Sequence, residues 1–500
     1  MSSLDDAPAY SPLRRALIIT TVTTATALYA LTLTIVNVAL PQIQGAFSVT
    51  QDQVAGVVTF NIVATAVGTP LTGWLTGRFG QRRVMLVSMF GFGAATVLCG
   101  LSDSLLELIV WRVAQGLFGA PLAPLSQAIL LDSTPKEKQG GATAIFGMGV
   151  VLGPVIGPTA GGYLAEMYSW RWVFFLIVPV AIVCFAAIYA FIQDRHDRSE
   201  MRFDWTGFLA LAIAIGCFQL MLDRGPRNDW FESIETMTEA TLAATAFYVF
   251  IAHSLSSTTP FLNPRLLLNR NYTIGLLITT TFGMLNLTLM VLLPPLLQRL
   301  QGYPDSIIGL LLGARAVGTL LGFIIMKYGN RLDPRMWLVI GFALQGAAGL
   351  RLAQFNAEVS FYDVALALGI QGLGVGLLWV PITLVTFATV ERRILPEGMA
   401  IFHLVRNIAS SVHISLSVSM VVYFTSVNYA GLVEGISVFN EVARNPSTLG
   451  LWSLDSPSSV AALSGEILRQ ASMIGYLNAF YFYAGTALIV LPFIALVKKP

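Results

Sequence analysis

Gly73-Trp74-Leu75-Thr76-Gly77-Arg78-Phe79-Gly80-Gln81-Arg82-Arg83 is a short basic joint between two apolar runs, 54–77 and 83–101. Each run is close to the roughly 20 residues that a helix needs to cross the hydrocarbon of a bilayer. A glycine-punctuated turn carrying arginines is what such crossings leave on the cytoplasmic side before the chain turns back. The pattern returns 249 residues later as Gly322-Phe323-Ile324-Ile325-Met326-Lys327-Tyr328-Gly329, with glycine, base and glycine at the same spacing. Two helices beyond each joint, Gln115-Gly116-Leu117 recurs as Gln371-Gly372-Leu373. Two repeats at matching offsets argue for a duplicated half.

Outward from this joint, apolar runs fall near 16–40, 54–77, 83–101, 105–131, 141–166 and 170–193. Two follow near 205–223 and 236–255, and six near 272–298, 305–326, 336–354, 361–390, 398–427 and 474–497. The expected fold is an all-α integral membrane protein of 14 transmembrane helices, two six-helix halves plus two inserted helices, with both termini cytoplasmic. Its expected organisation is a tail 1–15, an N-terminal half 16–193, a linker 194–271 holding the inserted pair, a C-terminal half 272–497 and a tail 498–500. The one sizeable non-cytoplasmic segment is 428–473. Arg14-Arg15 ahead of an apolar run mimics a secretion signal, but the run reaches Pro41, too long for one, and reads as the first span.

Composition agrees. The chain is 55% hydrophobic and 11% charged, with mean hydropathy +0.71, against about 25% charge in soluble domains. A soluble enzyme is excluded. A net charge of +2 leaves no basic excess for phosphates, which excludes a nucleic-acid binder. Cys99, Cys184 and Cys217 lie within apolar runs, without the spacing of a disulfide framework or metal site. Nineteen of the 29 bases fall on the side of the 78–83 joint: Arg14, Arg15, Arg78, Arg82, Arg83, Lys136, Lys138, Arg195, Arg198, Arg202, Arg265, Arg270, Lys327, Arg331, Arg335, Arg392, Arg393, Lys498 and Lys499. Six fall opposite: Arg171, Arg224, Arg227, Arg299, Arg444 and Arg469. That bias places the 78–83 side in the cytoplasm.

These residues resemble the major facilitator superfamily, in particular its fourteen-helix drug:proton antiporters (DHA2) of the EmrB/QacA type. Thr34-Ile-Val-Asn37-Val-Ala-Leu-Pro41 resembles the end of the family's first-helix signature, and Gly73 to Arg83, with Gly80 and Arg82, its 2–3 loop. Arg112-Val-Ala-Gln115-Gly116-Leu-Phe-Gly119 is similar to the fourth-helix motif, and Gly153-Pro154-Val-Ile-Gly157-Pro158-Thr-Ala-Gly161-Gly162 to the fifth-helix antiporter motif, followed by Trp170-Arg171-Trp172. Phe203-Asp204-Trp205-Thr206-Gly207 and Asn228-Asp229-Trp230 resemble landmarks around the first inserted helix; Arg331-Leu-Asp333-Pro-Arg335 and the closing Lys498-Lys499-Pro500 resemble the EmrB branch. The resemblance implies multidrug efflux by alternating access in a bacterial inner membrane, with the proton as coupling ion and no cofactor. It also implies a periplasmic adaptor and an outer-membrane channel as partners. Three positions depart from it: the family's first-helix Asp falls at Thr32, its 2–3 loop Asp at Gly77, and the Asn after Trp-Arg-Trp at Ile177.

Several residues are candidates for mechanism. Gly153, Gly157 and Gly161 share one helix face and admit a neighbouring backbone, while Pro154 and Pro158 bend the helix; the readings are a sliding seam or plain tight packing. Arg112, with Gln115 beside it, either meets substrate or protons or reaches the interface near Glu107. Arg315 sits mid-span and lines a cavity or pairs with polar groups of another helix; Gln371 is the repeat partner of Gln115. His403, Arg406, Asn407, Ser410, His413 and Ser417 fall on one face of their helix. That face forms either interhelical bonds or a cavity wall in which a histidine carries the proton. Arg351, near a span end, is expected to snorkel. All 27 acids fall in loops or near span ends, so a cavity bearing arginines without a carboxylate favours anionic or neutral amphiphiles over cations. No HExxH or paired acids point to an intramembrane enzyme, and no GxxxxGK[ST] to an ATP-driven pump. An importer of an organic anion, and a transport-impaired receptor or scaffold, remain open alternatives.

Overall fold

The computed structural model describes residues 11–193, 202–329, 333–356, 358–436 and 456–495. Arg195, Arg198, Arg331, Arg444, Lys498 and Lys499, six of the bases used above for orientation, lie outside these residues. Secondary structure among the described residues is entirely helical, as a chain that must satisfy its backbone polar groups in lipid requires.

The first half holds α1 (Pro12–Phe47), α2 (Gln51–Gly68), α3 (Leu71–Phe79), α4 (Gln81–Leu101), α5 (Leu105–Gly119), α6 (Leu122–Ser133), α7 (Lys136–Met167), α8 (Trp172–Phe175) and α9 (Ile177–Phe191). The inserted pair is α10 (Trp205–Arg224) and α11 (Ile234–Ser256). The second half holds α12 (Arg270–Gln301), α13 (Asp305–Gly329), α14 (Pro334–Leu352), α15 (Phe361–Phe387), α16 (Leu395–Glu434), α17 (Pro457–Ile489) and α18 (Leu491–Ile494). Among the described residues ten helical stretches are long and apolar enough to cross a membrane, and the α2–α3 pair, bent by 53°, makes an eleventh.

Side chains at the joints explain where helices start. Ser11 caps α1, with Pro12 at its first position; Thr50 and Gln53 form a reciprocal capping box on α2; Asn269 caps α12 and Ser360 caps α15. Gly80 ends α3 and opens α4 at φ 88°, a conformation that costs glycine little.

The structure revises several expected boundaries. The span expected at 54–77 breaks at Thr69-Pro70, and the one at 105–131 breaks around Pro121. The first helix continues through Pro41 to Phe47. The segment 428–473, expected as a loop, is helical at both ends, because α16 runs to Glu434 and α17 starts at Pro457.

Each half has its own apolar core. Val22, Ile35, Met85, Phe92, Leu125 and Phe174 belong to the first, and Tyr272, Leu289, Phe342, Leu378, Phe402 and Phe480 to the second. The 78–83 joint lies on what we term the basic face. There Arg82 donates to the Tyr189 carbonyl at 2.6 Å, Glu397 accepts from Asn263 N–H at 2.7 Å, and Trp74 packs edge-on to Phe203. On the opposite face Arg171 pairs with Asp103 at 3.2 Å and Arg351 with Asp363 at 2.6 Å, so Arg351 is held by an acid rather than snorkelling alone.

The halves close on one another toward the basic face. Gln127 of α6 donates to Thr383 of α15 at 3.1 Å and meets His403 Nε2 of α16 at 2.7 Å. Arg392, just ahead of α16, reaches Asp132 at the end of α6 at 3.5 Å. Gly147 of α7 lies under the ring of Phe323 of α13. Toward the opposite face a side chain at Gly309 or Gly313 of α13 would meet nothing within 4 Å among the described residues, and Ile156 and Tyr163 of α7 are half-exposed.

Candidate functional site

Residues at membrane depth are mostly apolar, so the polar side chains there define the site by contrast. An unsatisfied charge at this depth costs about 2.5–3.5 kcal/mol on insertion scales. Two of the three deep arginines offset that cost in related ways, and the third is held differently.

Arg112 is turned wholly into the first half and is 1% exposed. Its Nε donates to the Val57 carbonyl of α2 at 3.1 Å and its Nη1 to Gln115 Oε1. Gln115 passes the network to Thr96 of α4 at 2.7 Å, and Asn61 of α2 donates to the Arg112 carbonyl at 2.7 Å. Glu107 bonds instead to Asp103 N–H and to Trp111, so the pairing weighed for Arg112 does not form. In this conformation Arg112 and Gln115 knit α2, α4 and α5 and are closed to a ligand.

Arg315 of α13 repeats the arrangement with a twist. Its Nε donates to Gln371 Oε1 of α15 at 2.7 Å, while Nη2 reaches the carbonyl and Oδ1 of Asn286 of α12 at 2.7 and 2.9 Å. Gln371 is the repeat partner of Gln115, so each duplicated glutamine accepts from a buried guanidinium, supplied by different helices in the two halves. The following glycines are related too: Gly116 lies against the Asn61 carbonyl of α2, and Gly372 against the Arg315 carbonyl of α13. Gln345 and Tyr483 complete the cluster, with Tyr483 OH donating to Gln345 at 2.5 Å.

Arg406 is different. Its guanidinium lies over the Trp379 ring, 5.3 Å from the centroid, and donates to Oδ1 of the adjacent Asn407 at 3.0 Å. Among the described residues no carboxylate and no interhelical acceptor holds it. Around it stand buried polar atoms without a partner: Trp379 Nε1, His403 Nδ1 and Ser410 Oγ. Tyr29 of α1, which hydrogen-bonds Thr65, lies within electrostatic reach of Arg406 from the other half. This is a donor-rich, acid-free place between the two halves.

The polar stripe on α16 thus divides. His403 turns to Gln127 across the seam; Arg406 and Asn407 form the centre. His413 faces α12 and α17, meeting Thr288 at 2.8 Å and Thr486 at 3.3 Å and stacking on Phe482. Ser417 is buried beside it, 3.4 Å away.

Thr32 is buried and spends its hydroxyl on the Tyr29 carbonyl at 2.6 Å; Asn37 is exposed on α1, away from the arginines. Gly153, Gly157 and Gly161 of α7 lie against Ala27, Thr34 and Ile35 of α1, and Gly162 against Val38. Pro154 lies within α7, and Pro158 within its backbone run. Gly73 lies against Glu397 of α16, Arg78 is exposed, and Arg82 stacks on Tyr189.

Sequence reasoning passed over Tyr29, Gln127, Asp132, Trp379, Arg392 and Glu397 as site residues. Gln127 carried a signal, a second amide beside Gln115 in the apolar run 105–131; Tyr29 and Trp379 carried none, since aromatics are ordinary in such runs.

The Major Facilitator Superfamily model matches residues 22–412. The chain belongs to the major facilitator superfamily. It is 33% identical over 482 residues to the multidrug export protein EmrB of Haemophilus influenzae, covering 95% of this chain and 94% of that one. It is 29% identical to the fatty acid resistance protein FarB of Neisseria gonorrhoeae, with 93% of each chain covered. The human organic anion transporter MFSD10 superposes with a TM-score of 0.61 over 97% of this chain and 100% of that one, at 14% identity, which speaks for the fold. As a superfamily member of the EmrB branch, the chain is a multi-pass transporter of the bacterial inner membrane and not an enzyme. The two cores are then the two halves of a superfamily transporter.

Proposed function

We propose that this transporter exports small amphiphiles by alternating access, with the proton gradient as its energy source and a preference for anionic or neutral cargo over lipophilic cations. In this reading all fourteen expected spans cross the membrane, both termini are cytoplasmic, and the basic face is the cytoplasmic one. The state described is then closed on the cytoplasmic side, where Gln127, Thr383, His403, Asp132 and Arg392 join the halves.

The observation that carries the preference is Arg406: a guanidinium over Trp379, between the halves, engaged by no carboxylate among the described residues. A carboxylate cargo would complete its hydrogen bonds, and the Trp379 N–H would find an acceptor. An apolar tail would lie among the aromatic rings of Trp379 and Phe402. FarB, whose name concerns fatty acids, is consistent with this class of cargo.

The test is flux in proteoliposomes under an imposed pH gradient, comparing a fatty acid and an aromatic acid with cationic dyes. Thr32→Asp, Arg315→Ala and His403→Ala are run beside the parent. Gradient-driven movement of the acids is expected. Movement of cations alone would refute the preference, and a parent indifferent to the gradient would refute proton coupling.

A further inference from the structure

The inserted pair is explained neither by the central site nor by the seam at the basic face. α10 is fastened along one side to α16. The Ser415 hydroxyl donates to the Leu222 carbonyl at 2.7 Å, Gln219 Nε2 to Ser411 Oγ at 3.0 Å, and the Trp230 indole to Ser419 Oγ at 2.8 Å. The turn that delivers Trp230 holds Asp229 and Trp230 at φ 50° and 54°, a left-handed conformation that tertiary contacts must stabilise. On its other side α10 presents Asp223, which accepts from Thr59 of α2 at 2.6 Å. Helix α2 belongs to one half and α16 to the other. The inserted helix therefore bridges the halves.

α11 packs chiefly on α10, and its contact face carries two buried oxygens one turn apart. Glu239 is 9% exposed and Thr236 0%. Neither Glu239 Oε2 nor Thr236 Oγ1 has a hydrogen-bond partner among the described residues. Arg224 of α10 is 3.8 Å from Glu239 Oε1, but it makes a closer ion pair with Glu235. Asp223 and Cys217 are the other titratable groups of α10 toward this junction. A charged carboxylate here leaves one oxygen without a donor in a dehydrated place; a carboxylic acid carries its own O–H and asks for an acceptor. Buried polar groups left unmatched in this way call for an explanation.

We propose that Glu239 is a proton-binding site that sets the hold of α10 on the α2–α16 seam. A proton from water at the opposite face adds to the carboxylate and gives the neutral acid, with no other bond made or broken. With the proton bound, Arg224 stays with Glu235, and α10 keeps both Thr59 and the α16 serines, as observed. When the proton leaves, the buried charge draws Arg224 away from Glu235. Asp223, the adjacent residue, turns with it and releases Thr59, so α2 parts from α10. This is independent of which cargo moves and of whether protons drive it; flux assays test those points, and the experiment below reads the seam alone.

The full-length protein is placed in lipid nanodiscs with Cys99, Cys184 and Cys217 replaced by alanine and spin labels at Ala55→Cys on α2 and Val427→Cys on α16. Distances are measured by double electron–electron resonance between about pH 5 and pH 8, the range in which a buried carboxyl can titrate. The parent is expected to shift its distance distribution with pH, and Glu239→Gln to keep the low-pH distribution throughout. A parent that does not respond, or a Glu239→Gln protein that titrates like the parent, overturns the proposal. Glu235→Gln supplies a second reading should the first variant fail to fold. Freed from Glu235, Arg224 favours the charged Glu239, so the transition moves toward lower pH; an unmoved transition also overturns the proposal.

Discussion

Arg112, Arg315 and Arg406 carry the same charge at similar depth, yet their surroundings assign them different work. Arg112 and Arg315 each spend their donors on a repeat-related glutamine and on backbone or amide oxygens of a neighbouring helix. Gln115→Leu removes the acceptor from a fully buried guanidinium, a bond to a charged group worth about 1.5–3 kcal/mol. A clear drop in the melting temperature of the detergent-solubilised protein is expected, and Gln371→Leu should cause a similar one. Arg406→Ala should leave the melting temperature nearly unchanged while weakening binding of a carboxylate amphiphile about tenfold or more, again from 1.5–3 kcal/mol. Arg406→Lys keeps the charge but not the planar group over Trp379, and should recover only part of the affinity in the same titration. The pairing of Arg112 with Gln115 could be read from their spacing of three. The direction in which they face could not, because a helix apolar on all sides gives no inward stripe to read.

Long apolar runs made the helices legible, and prolines made their shapes illegible. Pro41 and Pro154 lie within continuous helices, whereas Pro70 and Pro121 break theirs. A proline frees a carbonyl one turn back, and the outcome depends on what re-satisfies the backbone locally. At the Pro70 bend the hydroxyls of Thr69 and Thr72 add bonds to the Thr65 and Thr69 carbonyls at 2.7 and 2.8 Å, which helps to offset the bond lost at the proline. The extensions of α16 and α17 into 428–473 escaped notice for a related reason: hydropathy ends at the membrane surface, but helical hydrogen bonding need not. The glycine spacing in α7, by contrast, was readable, and its partner proves to be α1. A side chain at Gly157 would run into Thr34 and come within 3.3 Å of the Ile35 nitrogen. Gly157→Leu should therefore force the two helices apart, at the 1–3 kcal/mol typical of overpacking. The expected result is a lower melting temperature and loss of flux in proteoliposomes, with insertion into the membrane retained. Normal flux would show that α7 and α1 have no need to stay in register.

At the scale of the whole molecule, the closed seam is short and polar where it meets the basic face. Asp132 and Arg392 are 5% and 16% exposed there, and behind them Gln127 joins Thr383 and His403. No spacing rule could have paired residues 260 positions apart on opposite halves; only the closure of the halves brings them together. Because the contact exists in this state and must be given up when the basic face opens, its strength biases the balance between the two states. Arg392→Ala leaves Asp132 less compensated in the closed state, and removing one member of a buried pair costs about 3–5 kcal/mol in general. Even a third of that cost, relieved when the face opens, moves the population about tenfold. In a background free of native cysteines, Ser126→Cys on the buried α6 reports the change through its labelling by a membrane-impermeant maleimide applied to the basic face. Arg392→Ala should label several-fold faster than the parent, and adding Asp132→Asn should slow it again by removing the charge that Arg392 offsets. Equal rates in all three would mean that apolar contacts such as Phe323 on Gly147 hold the seam without help from the ion pair.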